Sequence, residues 1–147
     1  PLKGSIVATN LPMNYLHHRG SHSQEFAMDF LEMRPDKGGV PQTSRKPGSG
    51  KLEDFYIYRR NVLAAADGTV VAAGDGFPEE ETADPAKWSE EAFGKVVQRL
   101  TPNIGMLNAV MGNYLIIEHG PDEVALYAHL SQHTLRVKAG DNVRPDR

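Results

Sequence analysis

The chain has 147 residues, enough for one domain with a buried core, and its charged and apolar fractions of 24% and 39% are typical of globular proteins. A formal net charge of −3 with no long run of one sign argues against a nucleic-acid partner, and no stretch is apolar enough for a membrane span. The chain contains no cysteine, so disulfides, thiolate ligands and a cysteine nucleophile are excluded, and any metal must be held by His, Asp or Glu.

Turn-forming residues are frequent, with ten prolines and fourteen glycines, which predicts strands rather than long helices. Leu2–Thr9 is predicted to be the first strand. Farther along, Phe26, Met28 and Phe30 alternate with other residues at the period of a strand, so these three large side chains are expected to face the core. Asp29 is then expected on the opposite face, in whatever cleft lies there.

The middle of the chain is predicted to form a surface loop and three short strands. Residues 34–53 are rich in Pro, Gly, Ser and Lys, which indicates a long loop. Short strands are expected at 54–58 and 61–65, and another at 69–73 after a turn.

One helix is predicted at 84–100, because its apolar residues recur at intervals of three and four. Asp84 suits the N-cap and Pro85 the first helical position, while Thr101 and Pro102 are expected to end the helix. This helix is expected to be an insertion into a mainly β fold.

The sequence of the last third of the chain predicts a hairpin, with strands at 112–118 and 124–130 around a turn at 119–122. Two short strands are expected after it, at 134–138 and 141–143. Strict alternation places Val124 and Leu126 on one face of the second strand. His129 is expected on the other face, together with Ala125 and Tyr127.

His22, Asp29 and His129 are the candidate functional residues. His22 and Asp29 are ligand types that zinc accepts, but six intervening residues make their spacing a weak signal, and they also fit a polar loop residue and a solvent-facing charge. His129 is suited to general acid–base catalysis or to positioning a water molecule, but it also fits an exposed histidine on a sheet.

A resemblance to a known family is carried by three segments in the family order: SHSQEFAMDF at 21–30, NVLAAADGTVVAAGDG at 61–76, and GNYLIIEHGPDEVALYAHLSQHTLRVKAGDNV at 112–143. Together they resemble the lysostaphin/LytM-type peptidoglycan metallopeptidases, and the ADGTVV and YAHL stretches match best. The resemblance implies a single domain over 1–147 with antiparallel sheets of the duplicated hybrid motif type.

Carried over to this sequence, the resemblance implies that His22 and Asp29 are zinc ligands and that His129 is the catalytic histidine, which orients or deprotonates the attacking water. The sequence departs from the family in two ways. The common first motif is H-x-x-x-D, whereas here six residues separate His22 from Asp29. The family's H-x-H, which supplies the third ligand, does not occur in the sequence, and we expect it beyond Arg147 in a longer chain.

The implied function is a zinc endopeptidase that cuts peptide cross-links of bacterial peptidoglycan, in the periplasm or outside the cell. The alternative is a catalytically degenerate relative that binds peptidoglycan or regulates a partner hydrolase, which the missing H-x-H favours. A carrier domain is a third possibility, but the VLAAADG turn has no lysine for attachment.

Overall fold

A computed structural model of the chain describes residues 5–9, 24, 26–79 and 89–145. The chain divides into two compact units, Leu2–Arg60 and Asn61–Arg147. Its described part consists mostly of antiparallel sheets with two helices, which confirms a mainly β fold. The strands are β1 (Ile6–Thr9), β2 (Asp29–Glu32), β3 (Arg34–Pro35), β4 (Pro41–Gln42), β5 (Gly68–Gly74), β6 (Asn113–Gly120), β7 (Glu123–Leu130) and β8 (Asn142–Val143), and the helices are α1 (Glu90–Ile104) and α2 (Met106–Met111).

In the first unit, β1 pairs with β2 and β3 pairs with β4, both antiparallel. The expected first strand is confirmed over Ile6–Thr9. The expectation that Phe26 and Met28 face the core is wrong, because their side chains are 79% and 50% exposed. The chain turns before β2, where the Ala27 N–H donates to the Gln24 carbonyl, so the strand period begins only at Asp29.

The strands expected at 54–58 and 61–65 do not form. A 3-10 turn at Leu52–Asp54 is followed by tight turns, in which the Tyr58 N–H donates to the Phe55 carbonyl and the Arg60 N–H donates to the Ile57 carbonyl. These local hydrogen bonds satisfy backbone groups that a sheet would otherwise pair. The expected loop at 34–53 also contains the short β3–β4 hairpin.

The buried side chains among the described residues of the first unit are polar, and Asp54 is one of them. Ser49 Oγ donates to Asp54 Oδ2 at 2.7 Å, and Lys46 Nζ lies 3.5 Å from Oδ1. The hydrogen bond from Ser49 lowers the pKa of Asp54, burial opposes this effect, and the charge of Lys46 adds to the lowering. The ionised carboxylate therefore stabilises this unit.

We expect Ser49→Ala to raise the pKa of Asp54 toward its ordinary value of 3.8, because the carboxylate loses its strongest donor. A depressed pKa contributes stability that is present above the unfolded-state value and is lost as the pH falls through the folded-state value. The free energies of unfolding of the wild type and the variant should therefore differ most above about pH 4 and converge below it. A carbon-detected NMR titration of the Asp54 carboxyl measures the shift, and an unchanged midpoint would contradict the assignment.

In the second unit, a four-stranded antiparallel sheet has the order β7-β6-β5-β8. Val70 in β5 pairs with Ile117 in β6, and both side chains are almost completely buried. The predicted β5, the β6–β7 hairpin and β8 are confirmed, although β6 runs to Gly120 and shortens the turn to Pro121–Asp122. The strand expected at 134–138 is irregular instead.

The helical segment differs from its prediction. Ser89 caps α1 by accepting from the Ala92 N–H, and the expected start at 84–88 lies outside the described residues. The expected stop at Thr101–Pro102 is wrong, since α1 continues to Ile104. The Thr101 hydroxyl donates to the Val97 carbonyl at 2.7 Å, which adds a bond in the turn where Pro102 has no N–H to donate.

A second helix, α2, was not predicted. It follows α1 directly after Gly105, whose φ of 81° is favourable only for glycine, and it packs against α1. Within the described ranges, neither helix has the length and apolar character needed to cross a membrane.

Gly68, at the start of β5, lies against the backbone of β6. A Cβ at this position would lie 2.5 Å from the Glu118 carbonyl oxygen and 2.8 Å from His119 Nδ1. Because a backbone atom cannot move aside cheaply, only glycine allows the two strands to approach so closely. The glycine of the ADG turn is therefore required by packing.

We expect Gly68→Ala to lower the free energy of unfolding by about 2 kcal/mol, because the added methyl overlaps the β6 backbone. The matched control is Gly94→Ala in α1, where no atom lies within 4 Å of the new Cβ. Removing a helical glycine should raise stability by about 0.5–1 kcal/mol. Urea unfolding of both variants measures the difference, and equal effects would show that the close approach at Gly68 is unimportant.

Candidate functional site

His129 lies at a bulge near the end of β7. The register between β6 and β7 pairs Asn113 with Leu130 and Leu115 with Tyr127, so Ala128 and His129 together oppose the single residue Tyr114. Such a bulge bends the strand and changes the direction of its side chains, and bulges are frequent beside active sites. The bulge therefore sets the position of the histidine that the sequence singled out.

The backbone of His129 is left-handed, with φ of 56°. A non-glycine residue in this region costs about 1 kcal/mol or more and persists only where surrounding contacts enforce it. His129 is also exposed, so burial of its side chain does not offset this cost. Strained backbone conformations cluster at functional sites, although Arg59, Asp122 and His133 also have a left-handed φ.

The predicted faces of β7 need correction. Val124 and Leu126 were expected on the more apolar face, yet they are 58% and 49% exposed, whereas Ala125 and Tyr127 are partly buried. His129 is exposed, although Tyr127, which was expected on the same face, is partly buried. The reason is the bulge, since one extra residue interrupts the alternation on which the predicted face of His129 depended.

Gly112 and Asn113 support His129 from the neighbouring strand. Gly112 has φ 60° and ψ −143°, a combination that essentially only glycine adopts, and a Cβ there would lie 3.7 Å from His129 Nδ1. Asn113 is 2% exposed and binds Phe77 twice, accepting from its N–H at 2.9 Å and donating to its carbonyl at 3.1 Å. This amide pair anchors the loop after β5 to the start of β6.

The same loop is joined to the segment that follows His129. Asp75 Oδ1 accepts from the His133 N–H at 2.7 Å, and Asp75 Oδ2 accepts from the Leu135 N–H at 3.4 Å. Gln132 donates through Nε2 to the Gly76 carbonyl at 2.9 Å. These bonds fix the segment after β7, and they explain how the left-handed conformation at His129 is held.

Sequence reasoning did not identify Asp75, Asn113 or Gln132 as support for His129. The Asp75-Gly76 pair was visible only as the end of a strand, and the Gly112-Asn113 pair only as the start of one. Their hydrogen bonds span between 36 and 60 residues of sequence, so no local pattern could have indicated them.

The proposed metal ligands belong to the other unit. Asp29 begins β2 opposite Thr9 and is partly buried, and His22 lies outside the described residues. Over the described ranges, no cluster of three or more His, Asp or Glu side chains could hold a metal ion. His22 and Asp29 supply nitrogen and oxygen, which match the ligand preference of zinc.

His119 occupies another bulge, in β6, rather than the expected turn. Its Nδ1 lies 2.9 Å from the Asp67 carbonyl oxygen, so Nδ1 carries the proton and donates, while the buried Nε2 has no partner among the described residues. A cavity of about 690 Å³ opens at this end of the sheet. Its lining includes Asp67, Thr69, Glu118, His119, Asn142 and Arg144. His129 does not line it, since His129 lies at the opposite end of β7.

No protein-family model, curated protein or solved structure matches this chain. The functional candidates are therefore the residues that the sequence pattern and the local geometry indicate, namely His22, Asp29 and His129. The structure describes two of them, Asp29 in the first unit and His129 in the second.

We expect His129→Gly to be about 1 kcal/mol more stable than His129→Ala, because glycine adopts the left-handed conformation without a Cβ clash. The control is Ala125→Gly in the same strand, a position whose φ is not left-handed. There glycine should destabilise by about 0.5–1 kcal/mol, which is the opposite sign. Thermal or urea unfolding gives both differences, and a His129→Gly variant no more stable than His129→Ala would argue against strain.

Proposed function

We propose that this chain belongs to a zinc-dependent endopeptidase that hydrolyses peptide cross-links of bacterial peptidoglycan, in the periplasm or outside the cell. The sequence resemblance to LytM-type metallopeptidases motivates the proposal, including a sheet arrangement of the duplicated hybrid motif type. The observation that carries it is the exposed, left-handed His129, which lies within the YAHL stretch that matches the family best.

In this proposal His22 and Asp29 hold the metal ion. Zinc, when bound, supplies Lewis acidity that polarises an amide carbonyl and makes a water molecule more acidic. The proposal requires a third protein ligand, for which the family uses an H-x-H motif that this sequence does not contain.

His129 is the proposed acid–base residue. An imidazole can accept a proton from the attacking water and return it to the leaving amine near neutral pH. Gly112 leaves room beside the ring, and the hydrogen bonds of Asp75 restrict the backbone that follows His129. A catalytic group held in one orientation loses less entropy when the reaction begins.

The second candidate function is a non-catalytic domain that binds peptidoglycan or activates a partner hydrolase. The lack of an H-x-H motif favours it, because degenerate members of a metallopeptidase family lose ligands. The two candidates differ in zinc content and in turnover, and both quantities can be measured directly.

The proposed function predicts that the full-length protein contains zinc and digests purified cell walls. Asp29→Ala should lower both the zinc content and the activity. His129→Ala should retain zinc but lose about 100-fold or more in turnover, because only proton transfer is removed. Metal analysis and release of soluble wall fragments measure the two effects.

The matched control is His133→Ala, since His133 is also an exposed histidine with a left-handed backbone, φ 58°. Its activity should remain near that of the wild type. A wild-type protein that binds no zinc and digests nothing would overturn the enzyme and leave the regulatory candidate.

A further inference from the structure

The cavity beside His119 lies at the end of the sheet where β8 pairs with β5. Residues of β5, β6 and β8 and of the turn after β6 form its wall. The ladder between β5 and β8 ends at the pair of Gly68 with Val143, and a space of about 690 Å³ opens there. The proposed catalytic residue His129 does not line this space, so the cavity needs its own explanation.

Three polar side chains form a row across the strands of the wall. Glu118 in β6 lies opposite Thr69 in β5, and Thr69 also lies opposite Asn142 in β8. Residues directly opposite one another in an antiparallel ladder point to the same face, and neighbouring strands are about 4.8 Å apart. All three residues line the cavity, so the row presents hydrogen-bonding groups over about 10 Å of its wall.

A hydrogen bond orients the two neutral groups of this row. The Thr69 hydroxyl donates to Asn142 Oδ1 at 3.0 Å. The Nδ2 donors of Asn142 therefore point away from Thr69, and they have no partner within the described residues. Thr69 Oγ1 keeps its lone pairs as acceptors. The row thus offers a ligand both a neutral donor and a neutral acceptor.

Three charged residues of the lining also lack a partner in the part of the chain that the structure describes. The carboxylates of Asp67 and Glu118 and the guanidinium of Arg144 form no hydrogen bond or ion pair there, and all three residues are exposed. Asp67 and Arg144 flank the last ladder pair, Gly68 with Val143, yet no ion pair joins them. Two carboxylates accompany one guanidinium, so negative charge is in excess around the cavity.

We propose that this cavity binds a basic amino acid with a free carboxylate and two ammonium groups. The ligand carboxylate pairs with Arg144, and the two ammonium groups pair with the carboxylates of Asp67 and Glu118. Two cations and one anion on the ligand complement two anions and one cation on the wall. Thr69 and Asn142 supply the neutral acceptor and donor. The volume of the cavity is typical of a small-molecule site.

This inference goes beyond the proposed function and does not depend on it, because neither Asp29 nor His129 lines the cavity. A protein that contains no zinc and digests no cell wall should still bind a basic amino acid here. A protein that digests cell walls and binds no amino acid would keep the proposed function and lose this site. The two proposals therefore fail separately.

Binding is tested by NMR titration of the full-length protein at low ionic strength, with lysine and three relatives that each lack one charge. Norleucine lacks the side-chain ammonium, N-acetyllysine lacks the α-ammonium, and lysinamide lacks the carboxylate. Lysine should shift the amide signals of Thr69, Glu118 and Asn142 with a Kd of about 1 mM, since exposed ion pairs are individually weak. Each relative should bind about threefold more weakly, because it loses one ion pair.

Two variants identify the charges that the protein supplies, and both replace exposed residues. Arg144→Gln should weaken the binding of lysine about threefold and leave lysinamide unchanged, because the contact that it removes needs the ligand carboxylate. Glu118→Gln should weaken the binding of lysine by a similar factor. The matched control is Glu91→Gln on α1, an exposed carboxylate of the same unit that pairs with Lys95, and it should bind lysine like the wild type.

Four results would each overturn the inference. They are the absence of any shift with lysine at about 10 mM, equal affinity for lysine and norleucine, affinity for N-acetyllysine equal to or above that for lysine, and an equal effect of Arg144→Gln on lysine and lysinamide. The second and third would show that an ammonium group is not bound, and the fourth that Arg144 does not contact the carboxylate.

Discussion

The pairing of β6 with β5 on one side and β7 on the other is the interaction on which the described sheet of the second unit depends. At its centre, Ile117 and Val70 bury their side chains against each other's strand. At its ends, Asn113 binds the backbone of Phe77 and His119 binds the carbonyl of Asp67. β6 thus fixes both the turn before β5 and the loop after β5. A substitution that disrupts β6 would therefore affect both ends of the sheet.

Bulges determine where the histidines His119 and His129 lie on this sheet. A regular ladder would direct every second residue to the same face, but the extra residues in β6 and β7 change that order at His119 and His129. The left-handed backbone of His129 costs about 1 kcal/mol or more. The hydrogen bonds of Asn113, Asp75 and Gln132 offset that cost, since each contributes about 1 kcal/mol. Precise placement of one exposed histidine thus depends on residues distant in sequence.

The first unit is stabilised differently. Its buried side chains in the described part include two carboxylates, Glu32 and Asp54, each contacted by cations or hydroxyl donors. Buried ion pairs add little net stability compared with apolar packing, but removing one partner is costly because the remaining charge is unpaired. Such a unit keeps arginines in fixed positions near the surface.

The sequence by itself determined the mainly β class, the hairpin of β6 and β7, the strand after the ADG turn and a helix that overlaps α1. These features depend on local periodicity, turn residues and caps, which short windows contain. It also singled out Asp29 and His129 as candidates. Only the tertiary structure decided that Phe26 and Met28 are exposed, that 54–65 forms turns, that α1 passes through Pro102, and that a bulge positions His129. The bulge is set by pairing with β6, which lies outside any short window of β7. The other three features accompany hydrogen bonds between residues three or four apart, which compete with a strand or with a helix stop in the same window, and residue type alone does not decide that competition.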